Sequence, residues 1–330
     1  MNLINEFTAK FALLNSDDQQ AFIARINEVL STNPDFQDSS RFFQSVRSIE
    51  FSKSQVLCLN CCSSKVMGYG FTPRRVRRYR CNDCKHVFSE TSGTAVSRIR
   101  DLKKFNHYIF CMLSGYSLRA SASDVGISLQ TSFAWRHIIL NSLQNVRELT
   151  FSNIVEVDET FILHSEVGNK NIKGRKPRKR GGKAKSDGIT KAHVSVYVCT
   201  DREGKSLLAV GGRGKLTKAA IHRTIGNTIS SENTVISDSD RNLAFYLKDR
   251  NIKQIKLSAR KKERVKDKIF HIQHTNNLQQ RLKDWLRKFK GVASKYLQNY
   301  LNWFLAIELI KNQPNKHQAF VIQALRRITL

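Results

Sequence analysis

Four cysteines and two aspartates are the residues in this 330-residue chain whose type and spacing point to chemistry. Cys58-Leu59-Asn60-Cys61 and Cys81-Asn82-Asp83-Cys84 are two CxxC pairs, with nineteen residues between Cys61 and Cys81. A CxxC turn lets two thiolates face one ion, and two such turns supply the four soft ligands that a structural Zn²⁺ takes in tetrahedral geometry. A closed shell of four thiolates stabilises a fold and leaves no position open for catalysis. Cys62 could replace Cys61 only by spoiling the spacing, while Cys111 and Cys199 stand alone. This distribution is unlike a disulfide framework and is expected in a reducing compartment.

The aspartates are Asp158 and Asp238. Each is expected just beyond a short apolar strand, after Ile154-Val155-Glu156-Val157 and after Val235-Ile236-Ser237. If those strands are neighbours, the carboxylates converge on oxygen-seeking divalent ions, Mg²⁺ or Mn²⁺, in the arrangement that phosphodiester chemistry uses. Two exposed strand ends would read the same way in sequence. Glu159 and Asp240 are acidic neighbours that could substitute, and Glu156 is expected on the face opposite Val157. His271 and His274 could meet a metal from a helix, although packing or phosphate contact explains them equally.

The elements that must hold these residues can be read from periodicity. Strand-like runs at 154–157, 193–199, 207–210, 234–238 and 252–257 are interleaved with helical stretches at 217–225 and 243–247, followed by a mostly helical region from 277 to about 310. That order predicts an α/β domain. Leu282, Trp285 and Phe289 form a helical stripe, and they, with Tyr296, Tyr300, Trp303 and Phe304, are first read as core. Upstream, residues 102–146 are helical. The stretch from Ala120 through Gly126 and Ser128 to His137 has the layout of a helix-turn-helix, which an ordinary packed helical pair shares.

Charge narrows the partner. Fifty-six Lys and Arg against 27 Asp and Glu give +29, so the chain repels itself unless an anion sits against it, and nucleic acid is the expected partner. Between the knuckles lie Arg74, Arg75, Arg77, Arg78 and Arg80, candidates for phosphate contact if they are more than a solvated face. Lys170 to Lys185 contains Lys173, Arg175, Lys176, Arg178, Lys179 and Arg180 without an acid, and is expected as a flexible basic loop. Lys261 and Lys262 mark a second cluster, partly offset by Glu263 and Asp267. No run of 18 apolar residues and no signal-peptide pattern is present, so the expectation is a soluble intracellular protein without membrane contact.

Several pieces occur in a telling order: Arg78-Tyr79-Arg80-Cys81-Asn82-Asp83-Cys84, Val155-Glu156-Val157-Asp158-Glu159-Thr160, Lys173-Gly174-Arg175-Lys176, Ile236-Ser237-Asp238, His274-Thr275-Asn276, Arg281-Leu282-Lys283, Gly291-Val292-Ala293 and Lys295-Tyr296-Leu297. Over residues 55 to 305 the chain resembles DDE-type insertion-sequence transposases that carry an N-terminal zinc ribbon and an ISXO-like core. The resemblance implies an RNase H-like core that cuts double-stranded DNA at element ends and joins the 3′ hydroxyls to target DNA, using Mg²⁺ or Mn²⁺. It also implies a homo-oligomer, since two ends must be joined together, acting on the bacterial nucleoid in the cytoplasm.

By this resemblance Asp158 matches the first catalytic aspartate and Asp238 the second. The third position, a glutamate in many relatives, matches Asn276, with Lys283 after it. Glu263, Asp267 and Asp284 are alternative third acids. An amide oxygen brings no charge, so a second ion would be held less tightly, and Lys283 could stabilise charge on the scissile phosphate. The expected organisation is an N-terminal helical segment (1–50), a zinc ribbon (51–95), a helical DNA-binding segment (96–150), an RNase H-like catalytic domain (151–315, with a basic insertion at 168–191) and a C-terminal tail (316–330). Two other functions fit the same residues: an inactive transposase-derived DNA-binding protein, or a zinc-ribbon transcription regulator.

Overall fold

The computed structural model describes residues 10–21, 43, 46–47, 55–143, 150–174, 176, 182, 184, 188–226, 228–238, 240–258 and 264–325. The chain forms two units. One comprises Met1–Leu143 with Ile307–Leu330, and the other Gln144–Ala306.

In the first unit, three short strands, β1 (Val66–Phe71), β2 (Arg77–Cys81) and β3 (Val87–Ser89), form an antiparallel sheet in the order β1-β2-β3. Among the described residues its core cluster is Cys58, Cys81 and Phe88, edged by Val56, Leu59, Val66, Tyr79 and Cys84. So small a core does not stabilise a sheet by apolar burial alone, which is why small domains of this kind need a staple.

Three helices follow: α1 (Leu102–Leu113), α2 (Leu118–Val125) and α3 (Leu129–Ser142). Each has a side-chain N-cap from Asp101, Ser117 or Ser128, whose oxygen accepts from a backbone N–H in the first turn. Gly126 stops α2 at φ 65°, a left-handed conformation that costs glycine little, and α3 starts after Ser128. Phe105, Tyr108, Ile109 and Met112 from α1 are buried, as are Ile139 and Leu140 from α3, and Trp135 meets the rings of Phe105 and Tyr108 edge-on.

Residues 316–330 were expected as a tail. Instead Lys316–Ala324 forms a helix that packs on α1 and α3, because Phe320, Val321 and Ala324 bury their side chains there. His317 stacks on Phe110 at 3.9 Å, and burial pushes its pKa down to about 4.

The second unit is built on a five-stranded mixed sheet in the order β6-β5-β4-β7-β8. The strands are β4 (Ile154–Leu163), β5 (His193–Asp201), β6 (Ser206–Arg213), β7 (Thr234–Ser237) and β8 (Lys253–Lys256). β4, β5 and β6 are joined antiparallel, whereas β4–β7 and β7–β8 are parallel. Alternation along the strands gives two faces. Val155, Val157, Tyr197, Cys199, Leu207 and Ala209 share a core with Ile221 and Ile225 of α4 (Lys218–Ile225) and with Leu243 and Leu247 of α5 (Arg241–Asp249).

Two further helices, α6 (Gln273–Arg287) and α7 (Leu297–Ile310), follow the last strand. α6 contacts β4 and β5. Gln298 of α7 donates to the Leu208 carbonyl at 3.0 Å and accepts from the Val210 N–H at 2.9 Å. Leu282, Trp285, Tyr300, Trp303 and Phe304 are buried, with Trp285 edge-on to Trp303 at 5.1 Å. This mixed α/β arrangement is consistent with an RNase H-like core preceded by a zinc-binding region.

β4 does not stop before Asp158 as expected. It runs to Leu163 because β5 pairs with it throughout, as far as Leu163↔His193. β7, by contrast, stops at Ser237 opposite Val157. Among the described residues no helix is long and apolar enough to cross a membrane.

The left-handed Gly126 supplies a test of the turn between α2 and α3. Gly126→Ala forces a side chain into this conformation and is expected to cost about 1 kcal/mol, read as a thermal midpoint lowered by about 2–4 °C. An unchanged midpoint would mean that the turn is not held in this geometry.

Candidate active site and metal centre

The cysteine cluster is assembled by the ribbon. Cys58 and Cys61 lie in the turn before β1, Cys81 ends β2 and Cys84 lies in the turn before β3. Cys58 Sγ is 3.4 Å from Cys84 Sγ, Cys61 Sγ is 3.6 Å from Cys81 Sγ, and all four sulfurs lie within 4.8 Å of one another. A zinc–sulfur bond of about 2.3 Å implies a tetrahedral edge of roughly 3.8 Å, so the four sulfurs fit a zinc ion with little adjustment. The backbone N–H of His86 pulls the Cys84 thiol down to about 6, and that of Cys84 lowers Cys81. Cys62, at φ 56°, is exposed and outside the cluster.

The second site forms where β7 ends. Val157 pairs with Ser237, so Asp158 and Asp238 follow one another's strands at the same level. Asp158 remains paired to Val198 of β5 on its other side, which fixes its backbone. Burial pushes its carboxyl above the usual range and the nearby Asp238 carboxylate adds to this. The Glu159 N–H, the Gln279 amide and the Lys283 ammonium pull in the other direction.

α6 brings the remaining groups. Gln279 Nε2 donates to Asp158 Oδ2 at 2.9 Å. Asn276 is exposed and already helical, its N–H donating to the Ile272 carbonyl. It therefore shares a helical face with Lys283, seven residues on. The residue of α6 that touches Asp158 is thus Gln279 and not Asn276. One turn of helix separates Gln279 from Lys283, and a glutamine in the run Leu278-Gln279-Gln280-Arg281 reads in sequence as helix surface.

The alternative acids are engaged elsewhere. Asp240 accepts from Leu243 N–H at 2.7 Å as the N-cap of α5. Asp284 accepts from Gln280 and Arg287 on the exposed side of α6, and Asp267 sits in a turn at φ 51°. Glu263 lies outside the described residues. Glu159 points to the α4–α5 face beside Tyr197, and burial followed by the Asp240 and Asp158 charges pushes it up to about 7.

Glu156 is fully buried beneath the N-terminus of α6. Its carboxylate accepts from Thr275 N–H at 3.0 Å and lies 2.8 Å from Arg202 Nη1 and 2.7 Å from His274 Nδ1. Glu156, His271 and His274 offer atoms close enough to hold a metal. Arg202 Nη1, however, is also within 2.9 Å of His274 Nδ1 and 3.1 Å of His271 Nε2, so a cation already stands where their donors converge. A divalent ion would have to displace this guanidinium, which makes the Asp158–Asp238 pair the better candidate for a catalytic metal. Nothing in the sequence links Glu156 to Arg202 or to residues 271–275.

The basic candidates differ from one another. Arg74 donates to the Ile99 and Arg100 carbonyls, so it braces the turn between β1 and β2. Arg75 is exposed at φ 58°, Arg77 lies over Tyr79, and Arg78 and Arg80 lie over Tyr69 at 5.3 and 5.5 Å. Lys173 and Lys176 are exposed. Arg175, Arg178, Lys179, Arg180, Lys261 and Lys262 lie outside the described residues.

Residues 150–305 match the family model of the ISXO2-like transposase domain. No curated protein matches the chain. Solved structures similar to it include the Mos1 strand transfer complex, at 13% identity over 68% of this chain and 79% of that one with a TM-score of 0.29. A pre-cleavage Mos1 transpososome is similar at 10% identity over 67% and 79%, with a TM-score of 0.25. Likenesses this weak carry no argument about the site. It is the family match across the five-stranded domain, together with the paired aspartates and the four-cysteine cluster, that places the chain: residues 150–305 match an ISXO2-like transposase domain, and the chain is a DDE-type transposase-like protein.

Proposed function

We propose that the protein is a transposase that cuts double-stranded DNA at insertion-sequence ends and joins the freed 3′ hydroxyls to target DNA. The observation that carries this reading is the parallel β4–β7 pairing that leaves Asp158 and Asp238 side by side, faced by Gln279 and Lys283 of α6. Asp158 and Asp238 would hold Mg²⁺ or Mn²⁺, which would supply activation of the attacking hydroxyl and stabilisation of the leaving oxygen. Lys283 offers its ammonium to the scissile phosphate, and Asn276, on the same helical face, contacts the same phosphate.

Gln279 takes the third position beside the carboxylates. Its Nε2 faces Asp158, so to ligate an ion the amide must turn its Oε1 inward, and it then brings no charge. A site with two carboxylates and an amide holds a second ion weakly, which also favours a second reading: a transposase-derived protein that binds DNA without cutting it.

The remaining roles follow from charge. The four cysteines hold a structural zinc that keeps the ribbon folded, and Arg75, Arg77, Arg78 and Arg80 meet the DNA backbone from it. Lys173, Arg175, Lys176, Arg178, Lys179, Arg180, Lys261 and Lys262 line the DNA from the catalytic domain. α2 and α3, joined by three residues, act as a helix-turn-helix. Two ends must be cut and joined together, so the active species is a homo-oligomer acting on bacterial DNA in the cytoplasm.

Labelled element-end DNA incubated with purified protein and Mn²⁺ tests the main reading. Nicking and joining are expected, and Asp158→Asn and Asp238→Asn should each lower them by about 10²- to 10³-fold or more while leaving DNA binding intact. Specific binding without any cleavage by the wild type would instead support the second reading.

Gln279→Glu restores a charge beside Asp158 and should lower the Mn²⁺ concentration for half-maximal activity by about tenfold, about 1.4 kcal/mol. A shift produced by Asn276→Asp and absent from Gln279→Glu would return the third position to Asn276. Chelation of the zinc should unfold the ribbon, seen as rapid proteolysis between residues 55 and 90. Resistance to protease after metal removal would contradict the structural role.

A further inference from the structure

α1 and α2 are joined by a polar triad that the transposition chemistry does not use. His107 and Cys111 are one helical turn apart on α1, so their side chains lie over one another on one face. Asp124, in the last turn of α2, brings Oδ2 to 2.9 Å from His107 Nε2 and 3.3 Å from Cys111 Sγ. The three atoms lie within 4.8 Å of one another. Cys111 is buried, whereas the side chains of His107 and Asp124 are 36% and 43% exposed, so the triad is open to solvent on one side.

We propose that His107, Cys111 and Asp124 form a second metal site, separate from the four-cysteine cluster, which takes Zn²⁺ with water in the fourth position. An imidazole, a thiolate and a carboxylate make a borderline donor set that suits zinc and cobalt and does not suit Mg²⁺ or Ca²⁺. Bonds of about 2.0–2.3 Å in a tetrahedral shell place ligand atoms roughly 3.3–3.8 Å apart, so the triad needs to open by only a few tenths of an ångström.

Charge and protons balance. Cys111 gives up its thiol proton to water and the S–H bond is replaced by a sulfur–metal bond, while Asp124 exchanges its two hydrogen bonds for one oxygen–metal bond. One thiolate and one carboxylate then neutralise the dication. Without metal, the Cys111 thiol donates to Asp124 Oδ2.

The contrast with Glu156, His271 and His274 is in what occupies the convergence point. There Arg202 stands between the donors. Here the nearby Arg136 guanidinium, whose charge favours the Cys111 thiolate, donates to the Tyr116 carbonyl at 2.8 Å and the Ser121 hydroxyl at 3.2 Å. An ion at the triad would pin α1 to α2 and so stiffen the support of the α2–α3 pair.

Titration with Co²⁺ of full-length protein carrying one equivalent of zinc, held by the four-cysteine cluster, tests the site, because the catalytic carboxylates carry no sulfur and cobalt bound there gives no thiolate-to-metal band. One added equivalent is expected to produce a near-ultraviolet thiolate–cobalt band with visible bands of a tetrahedral ion. His107→Ala, Asp124→Asn and Cys111→Ser should each lose that band and that equivalent while keeping the first zinc and the wild-type circular dichroism. His107 and Asp124 are partly exposed, so their replacement leaves the core intact. No thiolate–cobalt band in the wild type, or a band that survives in His107→Ala and Asp124→Asn, would overturn the proposal and leave a hydrogen-bonded triad.

Discussion

The pairing of β4 with β7 is the constraint on which the catalytic half of the molecule depends. Like charges are costly to bring together, and two carboxylates remain close only if their backbones are held independently of them. Here the backbone of Asp158 is fixed by its place opposite Val198 in β5, and Asp238 is carried at the end of β7 by a ladder that closes with Val157↔Ser237. The repulsion is visible in Asp158, whose carboxyl is raised by burial and further by Asp238. A bound cation relieves that repulsion, so the same arrangement that destabilises the empty pair favours metal.

α6 depends on a different interaction. Its N-terminus is fixed on β4 by Glu156, which accepts from Thr275 N–H and pairs with Arg202 and His274, while the Thr275 hydroxyl donates to the Glu156 carbonyl at 3.3 Å. A buried carboxylate at a helix N-terminus is favoured by the helix dipole, and the cations around it offset its desolvation. Asp158 is two residues along the same strand and therefore on the same face, so the helix that Glu156 anchors presents Gln279 to it. The position of the amide is thus set by an ion-pair network next to the site.

Legibility in the sequence followed the range of the interaction. The four-cysteine cluster was readable because ligand spacing is local and thiol chemistry is restrictive, and the strands and helices around Asp158 and Asp238 were readable from periodicity. Gln279 was not, since its neighbours look like solvated helix and only the fold brings it to a residue 121 positions earlier. Glu156 was expected only as a residue on the face opposite Val157. Its partners Arg202 and Thr275 come from a hairpin end and a helix start that no local pattern connects to it. The C-terminal helix was missed because a short apolar run at a chain end carries little periodicity, although Phe320 and Val321 are fully buried.

The claim that the two aspartates share a metal site is tested most directly by a crystal structure of the protein grown with Mn²⁺, using the anomalous signal to locate the ion. The account predicts density about 2 Å from a carboxylate oxygen of both Asp158 and Asp238, with Gln279 turned to offer its oxygen or a bound water. Manganese bound instead between Glu156, His271 and His274 with Arg202 displaced, or absent from both places, would contradict it.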